Sequence, residues 1–174
     1  MNNILMRYCV FLLLIIISEL SCLTTHDKKD KHDVFYSVTK VVDGDTFWVD
    51  DGSEKGLKIR LIGVDTPESR KTGKREIAYY GKEASEYMTK LISGKKVRLE
   101  YDVDSIDMFR RTLAYVYLDD GTFVNSKLVK EGYAMVMTVP PNVKYAETFL
   151  KLARKARKHK KGLWGVSDKI NCVY

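Results

Sequence analysis

The feature that most constrains this chain is a series of short segments in which apolar and polar residues alternate, most of them closed by an Asp/Gly turn. Side chains of an extended strand point alternately to opposite faces, so each such segment buries one face and wets the other. Val34 to Val42 and Thr46 to Val49 are rich in β-branched and aromatic residues, with Asp43-Gly44-Asp45 as a tight turn between them. Asp50-Asp51-Gly52 makes a second turn. Leu57-Lys58-Ile59-Arg60-Leu61-Ile62 then sets Leu57, Ile59 and Leu61 on one face and Arg60 on the other. Val97, Leu99, Tyr101 and Val103 alternate with Lys96, Arg98, Glu100 and Asp102, and Leu113 to Leu118 reads as a fifth strand ending at Asp119-Asp120-Gly121.

Three segments carry a helical period instead. Ala84, Tyr87, Met88, Leu91 and Ile92 fall on one helix face, with Gly94 as the stop. Phe123 to Glu131 is shorter and ends at Gly132. Ala146, Phe149, Leu150 and Ala153 form the last apolar stripe, with Lys151, Arg154, Lys155, Arg157, Lys158, Lys160 and Lys161 around it. Five short strands with a helix inserted before the fourth predict a mainly β fold with helices (α+β), a five-stranded OB-fold barrel packed by three α-helices.

Residues 1–22 stand apart. Arg7, the apolar run Val10 to Ile17 and the Ser18-Glu19-Leu20-Ser21-Cys22 end have the order of a secretory signal. The run is shorter than the roughly 20 apolar residues that span a bilayer. Cys22 after Leu20-Ser21 resembles the lipidated cysteine of bacterial lipoproteins, although Glu19 stands where that pattern prefers Leu. Lipidation at Cys22 and plain cleavage both lead to an exported protein, secreted or surface-anchored. Residues 23–33 are almost entirely polar and read as a flexible linker, 34–166 as the folded domain and 167–174 as a tail. Cys172 is then a lone thiol, and neither a disulfide framework nor a zinc site is supported.

The chain holds 30 Lys plus Arg against 23 acids, a net charge of +7. Such a balance favours polyanionic partners. The sequence has no nucleophile elbow, no paired-histidine zinc motif and no phosphate-cradling glycine loop. His26, His32 and His159 lie in polar stretches. Hydrolytic chemistry here would therefore run on carboxylates, a metal ion and arginines.

Two acidic clusters meet that requirement: Asp43-Gly44-Asp45-Thr46 in a turn, and Asp65-Thr66-Pro67-Glu68 just after a strand. Hard divalent cations take carboxylate, carbonyl and water oxygens. Asp45, Asp65 and the Thr66 carbonyl suit such a shell, and Glu68, beyond a stiffening proline, suits a general base. Arg60 and Arg111 suit a planar, bidentate grip on phosphate oxygens. Each cluster alone also reads as an ordinary turn. Their weight comes from lying together at strand ends with arginines beside them.

In order and spacing, Val42-Asp43-Gly44-Asp45-Thr46, Arg60-Leu61, Val64-Asp65-Thr66-Pro67-Glu68, Tyr80-Gly81-Lys82-Glu83-Ala84-Ser85, Arg111 with Leu113-Ala114-Tyr115, Leu128-Val129-Lys130-Glu131-Gly132 and Lys161-Gly162-Leu163-Trp164 resemble the staphylococcal nuclease (thermonuclease) family. The resemblance runs from about Val34 to Trp164. It implies an OB-fold enzyme using one calcium ion to cleave DNA and RNA to 3′-phosphorylated products. By position it implies Asp45, Asp65 and Thr66 as metal ligands, and Arg60, Glu68 and Arg111 as catalytic residues. A monomer is expected, with the membrane involved only through an anchor at Cys22.

The chain departs from that pattern on the substrate side. Phe109, in Met108-Phe109-Arg110, lacks a hydroxyl but offers a ring for stacking. An ungapped reading sets Thr138 and Pro140 where the family has two tyrosines near the base. Arg70, Lys71, Lys74 and Arg75, in the loop 69–77, are candidate phosphate contacts. A non-catalytic nucleic-acid-binding module of the same fold is the alternative, but such modules lack the acid and arginine set retained here.

Overall fold

The structure, a computed structural model, describes residues 34–71 and 77–165. The signal-like segment with Cys22, the linker, the tail with Cys172, and Lys74 and Arg75 lie outside the described residues.

Among the described residues, seven strands, three α-helices and a short 3-10 turn follow one another. They are β1 (Phe35–Asp43), β2 (Thr46–Asp50), β3 (Leu57–Leu61), β4 (Val64–Asp65), α1 (Gly81–Ile92), β5 (Lys96–Glu100), β6 (Thr112–Leu118), α2 (Val124–Glu131), β7 (Met135–Val136), α3 (Ala146–Lys158) and the turn Gly162–Gly165. Five strands close a barrel in the order β1-β2-β3-β6-β5, as the alternation predicts. The β3–β6 pair is parallel and the other ladders are antiparallel. Closure leaves the barrel itself no open edge.

The inward faces of these strands make the core. Phe47, Val49, Ile59, Val97 and Val116 are fully buried. Met88 and Ile92 of α1, Leu128 of α2 and Phe149 of α3 join the same cluster. Burying each large apolar side chain is worth about 1.5–3 kcal/mol. Asn125 is the polar exception: it is fully buried, donates to the Ile62 carbonyl at 2.9 Å and accepts from the Val116 N–H at 3.0 Å. It ties α2 to the end of β3 and to β6.

The structure departs from the pattern in three places. The fourth barrel strand stops at Glu100, and Tyr101 and Val103 are exposed rather than inward. Glu100 is the last residue of the β5–β6 ladder, and the chain then turns into a loop pinned by other bonds. Asp104 N–H donates to Asn142 Oδ1, and Asn142 Nδ2 to the Asp104 carbonyl, each at 2.8 Å. On α3 the buried set is Phe149, Ala153 and Ala156, while Leu150 is exposed. Helix α3 packs on α2 and beside β7, and that contact selects a narrower stripe than the sequence suggests. Finally, β4 and β7 form a small second sheet, Val64 opposite Val136 and Asp65 opposite Met135.

Candidate active site

The first acidic cluster is locked in place by its own glycine. A Cβ on Gly44 would lie 2.7 Å from Thr66 Oγ1, so only glycine lets the β1–β2 turn press against Thr66. Asp45 in that turn is 6% exposed. Its Oδ2 accepts from the Thr66 N–H at 2.9 Å and from the Thr66 hydroxyl at 3.0 Å. Its Oδ1 accepts from the Thr46 hydroxyl at 2.9 Å. Two segments 21 residues apart are thereby joined into one site.

The second cluster hangs from the small sheet. Pairing with β7 fixes Asp65, and Thr66 and Pro67 follow it into buried positions. Glu68 is half-buried, and its carbonyl accepts from the Ala78 N–H at 2.9 Å. Gly81, the first residue of α1, lies against that same carbonyl so closely that a Cβ would collide with it. The helix start therefore sets the position of Glu68.

Arg60 spans both clusters. Its Nη1 lies 2.8 Å from Asp45 Oδ2, and its Nη2 lies 2.7 Å from Asp65 Oδ1. Nη1 also donates to the Val64 carbonyl at 3.0 Å. Arg111 enters from the turn before β6, where Asp107 aligns it: Arg111 Nε lies 2.6 Å from Asp107 Oδ2. Both arginines line one cavity of about 440 Å³, whose other wall includes Met108, Phe109, Met137, Val139 and Pro140. Thus Asp45, Arg60, Asp65, Thr66 and Glu68 stand together, and Arg111 lines the same cavity as Arg60.

The sequence model described as staphylococcal nuclease homologue matches residues 58–166. The chain belongs to the staphylococcal nuclease family. It is 46% identical to a thermonuclease of Staphylococcus hyicus over 130 residues, covering 74% of this chain and 75% of that one. A thermonuclease of Staphylococcus intermedius is 43% identical over 141 residues, covering 79% and 82% of the two chains. An uncharacterized endonuclease of Escherichia coli is 33% identical over 138 residues, with 79% and 82% covered. The family-model match starts after the Asp43–Asp45 turn, so the structure is what brings that turn to Arg60 and Asp65.

Charge at this staphylococcal nuclease site is strongly unbalanced. Burial pushes the Asp43 carboxyl above its ordinary value; the Ser69 hydroxyl and Gly44 N–H pull it down, while Asp45 and Glu68 add to the rise. Burial also raises Asp65, against the pull of Arg60, and Asp45 and Glu68 again add to the rise. Asp45 and Glu68 thus bear on both Asp43 and Asp65, a gathering of carboxylates in which a divalent cation is favoured. The donors are oxygens, which suits a hard cation. Among the described residues no group of three or more His, Cys, Asp and Glu side chains converges as a metal cage. A cation held here would use the Asp45 and Asp65 carboxylates with backbone and water oxygens.

Three features of this family member were not evident from its residues alone. Asp107 is the first; an acid four residues before an arginine was its one visible signal. Gly81 is the second, because a close approach leaves no pattern. The third lies on the substrate side: Met137, Val139 and Pro140 line the cavity, whereas Thr138 is not among its lining residues. Phe109 is 69% exposed, and its ring lies 5.2 Å from the Arg111 guanidinium carbon.

Proposed function

We propose that this chain is a calcium-dependent, sugar-nonspecific nuclease that hydrolyses phosphodiester bonds of DNA and RNA to 3′-phosphorylated products. The reading rests on one observation above the others: Arg60 reaches both Asp45 and Asp65 and lines the same cavity as Arg111. Nuclease chemistry follows from membership of a family whose relatives are named thermonuclease and endonuclease.

In this mechanism the scissile phosphate lies between Arg60 and Arg111. Their forks bind its non-bridging oxygens and match the charge that builds there as the water attacks. Glu68 takes a proton from the attacking water. The new P–O bond forms as the bond to the 5′ oxygen breaks; that oxygen takes a proton from solvent water as it leaves, and the phosphate stays on the 3′ side. Asp45, Asp65 and the Thr66 carbonyl would hold one calcium ion, which supplies Lewis-acid stabilisation of the phosphate. Asp107 orients Arg111. Phe109 stacks on the substrate, and contacts made mainly to phosphate make cleavage indifferent to sequence.

The signal-like segment 1–22 supports action outside the cytoplasm, as a secreted monomer or one anchored through a lipid on Cys22. The test of the main reading is incubation of the purified protein with plasmid DNA and with RNA, in calcium and in excess EGTA. Cleavage of both polymers in calcium alone is expected. Undiminished cleavage in EGTA would remove the metal from the mechanism.

A further inference from the structure

Strand β2 carries one aromatic residue that the barrel core does not use. Phe47 and Val49 point inward and are fully buried, so Trp48 between them points outward, where it is half-buried. Its cross-strand partner on β1 is Lys40, and its partner on β3 is Lys58. Lys58 Nζ lies 5.8 Å from the centre of the indole ring. Residues paired across a ladder project to the same face. Lys40, Trp48 and Lys58 are therefore a row across three adjacent strands: a flat ring with a cation on either side.

The row adjoins the active site. Thr46 and Arg60 form the next same-face pair on β2 and β3, two residues or about 7 Å along the strands. Toward β6, Lys58 and Arg111 are the residues just before the first paired couple, Ile59 and Thr112. The near acid on this face is Asp50, two residues beyond Trp48 and away from Arg60; it accepts from the Gly52 N–H and bounds the row. A nucleic-acid strand whose phosphate sits between Arg60 and Arg111 thus meets, one step along the same barrel face, an aromatic plane flanked by two ammonium groups. Those are the elements of sequence-tolerant single-strand binding: a ring on which any base stacks, and cations for the phosphates on either side.

We propose that Lys40, Trp48 and Lys58 form a second binding site for single-stranded nucleic acid, which seats a nucleotide outside the cleaved linkage. The inference builds on the nuclease reading, and its test includes a binding measurement independent of turnover. The probe is a phosphorothioate-linked deoxythymidine 12-mer, followed by intrinsic fluorescence of the wild-type protein and of Trp48→Phe. The oligonucleotide quenches the wild type and leaves the signal of Trp48→Phe unchanged, because the other tryptophan, Trp164, is buried. On the ordinary 12-mer, Trp48→Ala loses about 10-fold in kcat/KM, through KM, whereas Trp48→Phe keeps its stack and loses little. Hydrolysis of a nitrophenyl phosphodiester of a single nucleoside stays at the wild-type rate in Trp48→Ala. Replacing Lys40 and Lys58 by Ala lowers the log–log salt dependence of KM by about 0.7 per lysine. An unchanged wild-type fluorescence at saturating oligonucleotide overturns the proposal, as does an equal loss on both substrates in Trp48→Ala. Failure of the wild type to cleave either substrate would instead refute the nuclease reading, with the fluorescence arm still deciding this one.

Discussion

Asp107 holds Arg111 at two points: its Oδ1 accepts the Arg111 backbone N–H at 2.9 Å, and its Oδ2 accepts Nε at 2.6 Å. The same Oδ1 also accepts the Phe109 N–H at 2.9 Å, so one carboxylate shapes the whole turn that delivers the arginine. Replacing Asp107 by Ala leaves Arg111 charged but unaligned. Orientation losses of this kind cost about 10- to 100-fold in rate. Steady-state kcat should fall by that amount while the circular dichroism spectrum stays that of the wild type.

The same carboxylate makes a pH prediction. Burial raises Asp107, but the Arg111 N–H and guanidinium and the Phe109 N–H outweigh it and hold its carboxyl below the ordinary value. A lowered folded-state value stabilises the protein above the unfolded value, near pH 4, and that contribution disappears as pH falls through the folded value. Asp107→Asn should therefore be less stable than the wild type in urea melts at pH 7, and the gap should close as pH falls below the lowered folded-state value.

Glu68 is the residue assigned to proton removal. Glu68→Gln preserves its shape and removes its basicity. Turnover should fall by about 10²–10⁴-fold. A wild-type rate in this variant would reassign the base.

Gly81 is predicted to act through Glu68. A methyl group there meets the Glu68 carbonyl, so Gly81→Ala must shift either the helix start or the catalytic loop. Overpacking of this kind costs about 1–3 kcal/mol. The rate should drop even when assayed well below the melting temperature of the variant, and equal kcat for the two proteins under those conditions would sink the idea.

The Arg60 guanidinium bridges Asp45 and Asp65. Arg60→Met leaves the buried Asp45 without its counter-charge, at a cost of about 3–5 kcal/mol. Calcium binding to the same acids should restore part of it, because a ligand that binds only the folded state stabilises it. In thermal melts the calcium-induced rise should be larger in Arg60→Met than in the wild type.

Much of this molecule is legible in its residues because the signals are local. Alternation in Leu57–Leu61 sets Arg60 opposite Ile59 and Leu61, and the structure keeps it there. Apolar residues one helical turn apart mark Ala84, Met88 and Ile92 as the inner face of α1. Where the pattern misleads, a distant partner decides. Tyr101 and Val103 alternate correctly, but after Glu100 the chain loops away from β6 and rejoins it only where Ile106 bridges Thr112, and Leu150 sits on the edge of a stripe narrowed by α2.

The acidic turns, the arginines and the order of strands are properties of the chain alone, because turn chemistry and alternation act over a few residues. What joins them is not local. Thr66 bonding to Asp45, the Arg60 bridge from Asp45 to Asp65 and the Gly81 contact with Glu68 each couple segments that the fold, not the local chain, brings together. The outward row of Lys40, Trp48 and Lys58 likewise exists only through strand register, which pairs residues that no sequence spacing brings together.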